Sequence, residues 1–259
     1  MARILLAGDF HGNKGHTKLV FADAQKQSAD LVFQLGDYGY GWEKTQVKGG
    51  NGAVVCGFTD FVSKQAQAAD IPFYWIDGNH EDFDFLEDTL KGLVPELDGT
   101  YEIAPMVYYV PRGTVLDFDG KKFLCCGGAT SIDKKRRVTG VSWWAQEAIT
   151  DIDIRKCSEA GKADVLLSHD FPWEVSVVDR HLDPYWGEEA GHMTKRGRQS
   201  ISCILDGCGA RRVYHGHLHY SYREIIRMEI GSVTVMGLDR DTTPLQDSTY
   251  LLDTAGWGS

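Results

Sequence analysis

The stretch that decides the fold reads RILLAGDFH at residues 3–11, an apolar run that leads directly into an acid and a histidine. A short, continuous apolar run is typical of a strand that helices bury on both faces of its sheet. Side chains two positions apart on an extended chain point the same way, so Asp9 and His11 can face one site. The stretch therefore predicts a buried strand that ends in metal-binding side chains.

The same arrangement occurs four more times along the chain. The polar blocks are Gly36-Asp37, Gly78-Asn79-His80-Glu81, Ser168-His169-Asp170 and Gly216-His217-Leu218-His219, and the apolar runs before them cover residues 30–35, 72–76, 164–167 and 211–214. Open α/β sheets place their sites beyond the carboxyl ends of neighbouring strands. We therefore expect all five blocks to meet at one place.

Together the blocks offer carboxylate, amide-oxygen and imidazole ligands. Divalent manganese, iron and zinc accept that mixture, whereas calcium and thiolate-seeking metals are poorly matched. For a single histidine in such a loop, an ordinary polar or core role is the better interpretation. Seven candidate ligands in matched positions favour a metal site instead.

In their order and strand-end placement, the five blocks resemble the calcineurin-like metallophosphoesterase superfamily over residues 3–219. The resemblance implies an α/β fold in which two β-sheets pack as a sandwich flanked by helices, in four layers (α/β/β/α). It also implies two metal ions, one bound by Asp9, His11, Asp37 and His219, the other by Asp37, Asn79, His169 and His217, with Asp37 bridging. His80 matches the catalytic histidine of the superfamily, which contacts the substrate rather than a metal.

The reaction that this resemblance implies is the hydrolysis of a phosphoric ester. Two divalent ions, with manganese the first choice and iron, zinc, nickel or magnesium as alternatives, would lower the pKa of a bridging water so that hydroxide attacks phosphorus. The same ions would stabilise the negative charge that develops. His80 is the candidate general acid for the leaving alkoxide, because imidazole titrates near neutral pH.

One departure from the family pattern bears on the substrate. Protein serine/threonine phosphatases continue the second block as Gly-Asp-x-x-Asp-Arg-Gly, whose second Asp orients the catalytic histidine and whose Arg grips the phosphate dianion. Residues 36–42 here read GDYGYGW and contain neither, and acidic Glu81, Asp82 and Asp84 follow His80. Since a diester carries only one negative charge, we expect a phosphodiesterase that acts on a small phosphodiester such as a nucleotide or cyclic nucleotide.

Other activities stay open at this point. A phosphomonoesterase, a protein phosphatase or a nuclease of the same superfamily would use the same blocks. A non-catalytic scaffold would keep the fold without the chemistry, but it is disfavoured because all seven ligands and His80 are present. A net charge of −10 argues against broad nonspecific nucleic-acid binding, which depends on many phosphate contacts.

A basic run is the first candidate for contacts with the substrate. Lys134, Arg136 and Arg137 either steer phosphate or form a solvated surface loop. Residues 171–197 are long for a connection and are predicted to form a lid or a binding loop.

Aromatic residues after Asp37 are the second candidate. Tyr38, together with Tyr40 and Trp42, could stack on a nucleobase. Packing in the core is the alternative, and it is favoured for this group.

Length and composition indicate a globular protein. The chain has 259 residues, of which 42% are apolar and 25% charged, and we expect a single domain over residues 1–259. No apolar stretch approaches a membrane span and the residues before Asp9 are too few for a secretory signal, so no membrane association is expected. Six cysteines without C-x-x-C spacing predict core thiols and a cytoplasmic location. The expected partner is a small phosphoester; protein partners stay unassigned.

Hydrophobic periodicity predicts the remaining elements. Helices are expected over residues 17–29, 59–69, 83–90, 143–149, 151–159 and 199–205, and further strands over 106–110, 114–118, 121–126, 222–228, 232–236 and 249–253. Asp119-Gly120 is a good turn between two of these strands.

Overall fold

The computed structural model describes residues 1–43, 46–48, 54–177 and 187–256. Its strands are β1 (Arg3–Ala7), β2 (Leu31–Gln34), β3 (Gln46–Lys48), β4 (Val54–Cys56), β5 (Phe73–Trp75), β6 (Tyr101–Ala104), β7 (Val107–Tyr109), β8 (Val115–Phe118), β9 (Lys121–Cys126), β10 (Val165–Ser168), β11 (Arg212–His215), β12 (Tyr222–Met228), β13 (Gly231–Gly237) and β14 (Thr249–Asp253). Its helices are α1 (Lys14–Lys26), α2 (Gly57–Ala69), α3 (Phe83–Lys91), α4 (Asp151–Glu159), α5 (Gly187–Cys208) and α6 (Leu245–Ser248), with 3₁₀ turns at Lys134–Arg136, Ala145–Glu147 and Thr254–Gly256.

Two six-stranded sheets form the centre of the molecule. Their strand orders are β14-β1-β2-β5-β7-β6 and β12-β13-β11-β10-β9-β8, and β3 pairs with β4 in a separate hairpin. In each large sheet the four central strands are parallel and the two edge strands antiparallel. Neighbouring parallel strands end at the same edge of their sheet, so the loops after β1, β2 and β5 start side by side, as do those after β10 and β11.

The sheets pack face to face and helices cover their outer faces. In β1, Ile4 and Leu6 belong to the cluster between the sheets, whereas Leu5 and Ala7 belong to the cluster under α1 and α2. This alternation follows from the two-residue period of a strand, and it explains why the apolar run is continuous. A third cluster lies between the second sheet and the helices α4 and α5. The predicted four-layer α/β/β/α fold is confirmed.

Helix predictions were less accurate than strand predictions. The prediction of a helix over residues 143–149 is wrong, because only Ala145–Glu147 forms a short 3₁₀ turn. The next helix, α4, begins after Thr150, which caps it through a reciprocal pair of hydrogen bonds with Asp153. The helix expected over 199–205 is part of the longer α5, so the end of the predicted lid over 171–197 is helical. Residues 178–186 of that lid lie outside the described residues.

Two further expectations concern the cysteines and the membrane. Five of the six cysteines are buried free thiols, as predicted, and Cys203 is an exposed one. Within the described residues, no helix combines the length and apolar character needed to cross a membrane.

Candidate metal centre

The five polar blocks come together where the two sheets meet. Asp9, Asp37 and Asn79 follow β1, β2 and β5 of the first sheet, while His169 and His217 follow β10 and β11 of the second. Their carboxylate and imidazole atoms fall into two groups, in each of which the atoms lie within 4.8 Å of one another. The strand-end pattern thus brings distant parts of the sequence to one place.

The first group contains Asp9, His11, Asp37 and His219. His219 Nε2 lies 2.9 Å from Asp9 Oδ2, and His11 Nε2 lies 3.6 Å from Asp37 Oδ2. Asp9 Oδ2 is buried and has no partner of hydrogen-bond geometry among the described residues. A buried carboxylate oxygen that faces imidazole nitrogens without a regular hydrogen bond is the arrangement expected of ligands that share one cation.

The second group contains Asp37, His169 and His217. His169 Nε2 lies 3.3 Å from Asp37 Oδ1 and 3.1 Å from Asn79 Oδ1, so Asn79 adds an amide oxygen to the group. The two carboxylate oxygens of Asp37 therefore face different groups: Oδ2 faces His11 and Oδ1 faces His169. Asp37 has the geometry of a bridging ligand, and the nitrogen and oxygen donors of both groups fit divalent cations.

Backbone contacts hold the loops at these short separations. Asp37 Oδ1 accepts hydrogen bonds from the backbone N–H groups of Asn79 (2.8 Å) and His80 (2.9 Å), and Asp9 Oδ1 accepts one from His217 N–H (2.9 Å). Added Cβ atoms on Gly78 and Gly216 would collide with these same two carboxylates. Only glycine permits so close an approach at these two positions.

Backbone strain also concentrates at the site. Among the described non-glycine residues, nine have positive φ, and four of them are candidate ligands: His11, Asp37, His217 and His219. This conformation is uncommon for non-glycine residues and persists where the surroundings impose it, often at functional sites. The surrounding structure holds these loops in backbone conformations that are locally unfavourable but bring the candidate ligands together.

The charges of the two groups favour a cation. The pKa values of the buried carboxyl groups Asp9 and Asp37 are lowered, since neighbouring histidines more than offset their burial. Burial lowers the pKa of His169, but Asp37 and Asp9 outweigh it and raise it to about 10. Burial and the nearby His169 lower the pKa of His217 to about 3. Two ionised carboxylates with imidazoles around them form a site that positive charge stabilises.

Several supporting residues were missed at the sequence level. His11 Nδ1 contacts Asp241 Oδ1 at 2.8 Å, and Asn13 donates to the other oxygen of Asp241. Such a carboxylate fixes the ring so that its other nitrogen faces the metal position. Asp241 follows β13, which neighbours β11, so its strand-end position was a signal that could have been used.

Asn79 has a comparable support. Its amide nitrogen donates to Ser131 Oγ (3.0 Å), which in turn donates to Glu147 Oε2 (2.7 Å). This chain of hydrogen bonds turns Asn79 Oδ1 toward His169. Ser131 and Glu147 lie in a loop without periodicity, and no sequence pattern indicated them.

The acidic residues after His80 each have hydrogen-bond partners in the fold. Glu81 is buried and accepts hydrogen bonds from the backbone N–H groups of residues 38, 39, 40 and 78. Asp82 caps α3 through Phe85 N–H (3.0 Å), and Asp84 accepts the indole N–H of Trp144 (2.9 Å). Glu81 instead fixes the loop that carries Asp37, which corrects the expectation from sequence.

His80 stands beside both groups and belongs to neither. Its side chain is 29% exposed, and its Nε2 lies 3.9 Å from Asp37 Oδ2. Arg137 contacts His80 Nε2 and the carbonyl of Asn79, while Asp133 holds the Arg137 Nε at 2.7 Å. In the described part of the chain, no carboxylate is hydrogen-bonded to the His80 ring. Arg137 makes a polar contact with the ring, and the Trp42 ring lies edge-on to it.

The other predicted substrate contacts have different surroundings. Lys134 Nζ lies over the Trp143 ring, 3.9 Å from its centroid. Arg136 is exposed, and its role as a substrate contact stays a prediction. Tyr38 is fully buried, stacks on Trp75 and donates to Thr59, so its prediction as a substrate contact is wrong. The packing alternative holds for Tyr38 because its ring fills the space between the sheet and α2.

An open cleft of about 370 Å³ extends from His80, and we name it the His80 cleft. It is lined by Gly41, Trp42, His80, Asp82, Arg137, Val141, Ser142 and Trp144. Trp42 is 45% exposed, and its indole N–H bonds to the carbonyl of His80. The cleft gives an organic group direct access to the His80 side chain.

Comparisons with known proteins agree with this geometry. The sequence model of the calcineurin-like phosphoesterase family matches residues 2–221. No curated protein matches the chain. Among solved structures, TT1561 of Thermus thermophilus is similar at 12% identity with a TM-score of 0.54, with 97% of this chain and 98% of that chain covered. A dimetal phosphatase from Danio rerio is similar at 11% identity with a TM-score of 0.53, with 96% and 91% covered.

At these identities the solved structures support the fold alone. The family model spans most of the chain, and it matches the residues that the structure brings together. The chain therefore belongs to the calcineurin-like phosphoesterase family, whose members hydrolyse phosphoesters at a dinuclear metal centre.

Proposed function

We propose that this protein is a two-metal-dependent phosphodiesterase that hydrolyses a small phosphodiester. The observation that carries the proposal is the pair of ligand groups that share Asp37, with His80 beside them in the lining of an open cleft. When bound, two divalent ions would activate a water molecule and stabilise negative charge on the phosphoryl oxygens.

The roles of the protein's own residues follow from their positions. Asp9, His11, Asp37 and His219 would hold one ion, and Asp37, Asn79, His169 and His217 the other. His80 would give a proton to the leaving oxygen, since it is near both groups but is not a ligand. Burial lowers the pKa of His80, Asp37 partly opposes this and Arg137 reinforces it, so its protonated form is a stronger acid than ordinary imidazolium.

Charge favours a diester over a monoester. A monoester near neutral pH is largely a dianion and needs more positive charge than a diester does. Arg137 is the basic side chain of the His80 cleft, and Asp133 offsets its charge through the 2.7 Å ion pair. Asp82 adds a carboxylate to the same cleft. A singly charged diester suits this balance better than a dianion.

A phosphomonoesterase is the second candidate, because the contact of Arg137 with His80 places a guanidinium where a phosphate dianion could bind. Protein phosphatases supply an Arg for that purpose from another block. The two candidates differ in what they require of Arg137.

Catalytic efficiency on bis(4-nitrophenyl) phosphate and on 4-nitrophenyl phosphate, with the same metal and pH, distinguishes the two. We expect a higher kcat/KM for the diester, and loss of both activities when a chelator removes the metals. A clear preference for the monoester would replace the diesterase with the monoesterase. No turnover of any phosphoester with any divalent metal would favour the non-catalytic scaffold.

The metal and the location are narrower proposals. Manganese is our first choice because every donor in the two groups is nitrogen or oxygen and none is sulfur. A cytoplasmic location is supported by the free thiols, which persist in reducing compartments.

A further inference from the structure

We propose that the His80 cleft binds a nucleoside, and that this nucleoside is the leaving alcohol of the phosphodiester. The inference rests on the proposed function and adds the identity of one ester group and the residues that recognise it. The cleft volume of about 370 Å³ falls in the range of small-ligand sites and suits one nucleoside rather than a longer chain.

The position of the cleft assigns it to the leaving group. His80 lines it, and His80 is the residue placed to protonate the leaving oxygen. Arg137, which contacts His80 Nε2, lines it as well. The ester group that departs must therefore extend from His80 into this space.

Trp42 provides a surface for stacking. One face of its ring stacks on His11, with centroids 5.8 Å apart and an interplanar angle of 29°. The side chain is nevertheless 45% exposed, and it borders the cleft. Its indole N–H is bonded to the His80 carbonyl, which fixes the ring next to the leaving-group position. A fixed indole with an accessible face is a platform for a nucleobase.

The other walls fit a base better than an aliphatic chain. Trp144 also lines the cleft, and its 2.9 Å hydrogen bond to Asp84 and its burial fix this part of the lining. Asp82 and Ser142 add a carboxylate and a hydroxyl to the lining, next to apolar Val141. Aromatic and apolar surface with a few polar groups at fixed positions is the usual composition of a small-molecule site. The fixed indole of Trp42 favours a flat ring among the ligands of such a site.

The test is equilibrium binding to the metal-loaded protein, measured by calorimetry. The ligands are two phosphonates, each a methyl ester with one negative charge, in which a P–CH₂ bond replaces the scissile P–O bond to the leaving group. In one ligand this carbon replaces the 5′ oxygen of adenosine, and in the other it replaces the oxygen of an ethoxy group. We expect the adenosine ligand to bind at least about tenfold more tightly, since stacking on an aromatic side chain supplies gains of that order. Trp42→Ala should remove most of this preference, and Trp42→Phe, which keeps a ring without the N–H, should retain it.

Trp173→Ala is the matched control. Trp173 is 39% exposed, similar to Trp42, but it lies beside Arg198 and not in the cleft, so this variant should bind both ligands like the wild type. Equal affinity for the two ligands would overturn the inference. So would a Trp42→Ala variant that loses affinity equally for both, because Trp42 would then act only through His80. Preferential binding of the adenosine ligand without diester hydrolysis would refute the proposed function and support the nucleoside site. Diester hydrolysis without that preference would support the proposed function and refute the nucleoside site.

Discussion

Asp37 is the residue on which both metal groups depend. Its two oxygens face different groups, and Oδ1 also accepts the backbone N–H groups of Asn79 and His80. The Asp37 carboxylate therefore fixes the positions of Asn79 and His80 as well as linking the two groups. A change at Asp37 should act on metal binding first and on chemistry through it.

Asp37→Asn is expected to lower the metal content of the purified protein and to remove most turnover. The amide carries no charge. Its carbonyl oxygen can keep the two backbone hydrogen bonds made at Oδ1, but its NH₂ group then replaces Oδ2 on the His11 side and cannot bind a cation. Metal analysis after dialysis measures the first effect, and activity with excess metal the second. Asp60→Asn, which alters only an exposed ion pair with Lys64, is the control. Full metal content and full activity in Asp37→Asn would end the two-metal interpretation.

His80 separates metal binding from proton transfer. His80→Ala should leave the metal content nearly unchanged and lower kcat by ~10²–10⁴-fold, the usual range for a general acid. The loss should be smaller for nitrophenyl esters, whose leaving groups need less protonation. If His80→Ala instead loses a metal ion, His80 is a ligand and its assignment here is wrong.

Sequence could predict the ligands because a strand-end position is a local property. Asp9, Asp37 and His169 each follow a short apolar run, and that signal survives without any knowledge of the fold. Ser131 and Glu147 lack it, because their contacts with Asn79 depend on a loop that only the folded molecule places there. Tyr38 shows the opposite limit, since adjacency to Asp37 in sequence did not place its ring in the site.

The connection between β9 and α4, residues 127–150, contributes more to the site than its sequence indicates. It carries Ser131, Asp133 and Arg137, and its Trp144 forms part of the His80 cleft. In sequence only the basic run stood out. In the structure Arg137 contacts His80, whereas Lys134 packs on Trp143. The two side chains point in different directions because a short 3₁₀ turn covers Lys134–Arg136.

Arg137→Ala tests what this connection does for the substrate. If Arg137 binds the phosphoryl group, its loss should lower kcat/KM for a monoester by roughly 10- to 100-fold, as expected for a hydrogen bond to a charged group. The effect on a diester should be smaller, because a single negative charge is left to the metals. Steady-state kinetics on the two nitrophenyl esters measures both.

Lys134→Ala is the control, since Lys134 belongs to the same basic run but lies over Trp143. Its kinetics should resemble those of the wild type with both esters. An Arg137→Ala variant that equals Lys134→Ala would show that the guanidinium only supports the loop through Asp133.

At the scale of the whole molecule, the middle layer joins the two halves. Its cluster draws Ile4 and Phe33 from the first sheet and Phe123 and Val165 from the second, so neither sheet can bury that face alone. The metal ligands also come from both sheets. Sequence predicted the layers by resemblance, but the pairing of particular faces depends on packing between distant residues.

A buried ion pair makes a second connection across the molecule. Arg112, which follows β7, bonds to Asp77 after β5 and also to the carbonyls of Gln146 and Ala148, in the connection that leads to α4. The two side chains are 10% and 1% exposed. Removing one partner of such a pair is expected to destabilise the folded protein strongly, because the other charge stays buried without compensation.

Arg112→Met is expected to lower the free energy of unfolding by about 3–5 kcal/mol, because Asp77 would remain buried without its charged partner. Urea unfolding followed by circular dichroism, with a chelator present so that metal binding does not add to stability, measures this change. Lys64→Met breaks an exposed pair with Asp60, and its effect should be on the order of 1 kcal/mol or less. Comparable stability of the two variants would contradict a structural role for Arg112.

The wild type and both variants should unfold in one transition, because loss of either sheet exposes the face that the other one packs on. Far-ultraviolet circular dichroism reports the backbone, and tryptophan fluorescence reports rings such as that of Trp75, which belongs to β5 of the first sheet and is fully buried. The two signals should therefore change over the same range of urea concentration. Two separate transitions would mean that the sheets unfold independently and that residues 1–259 form two domains rather than the single one predicted from sequence.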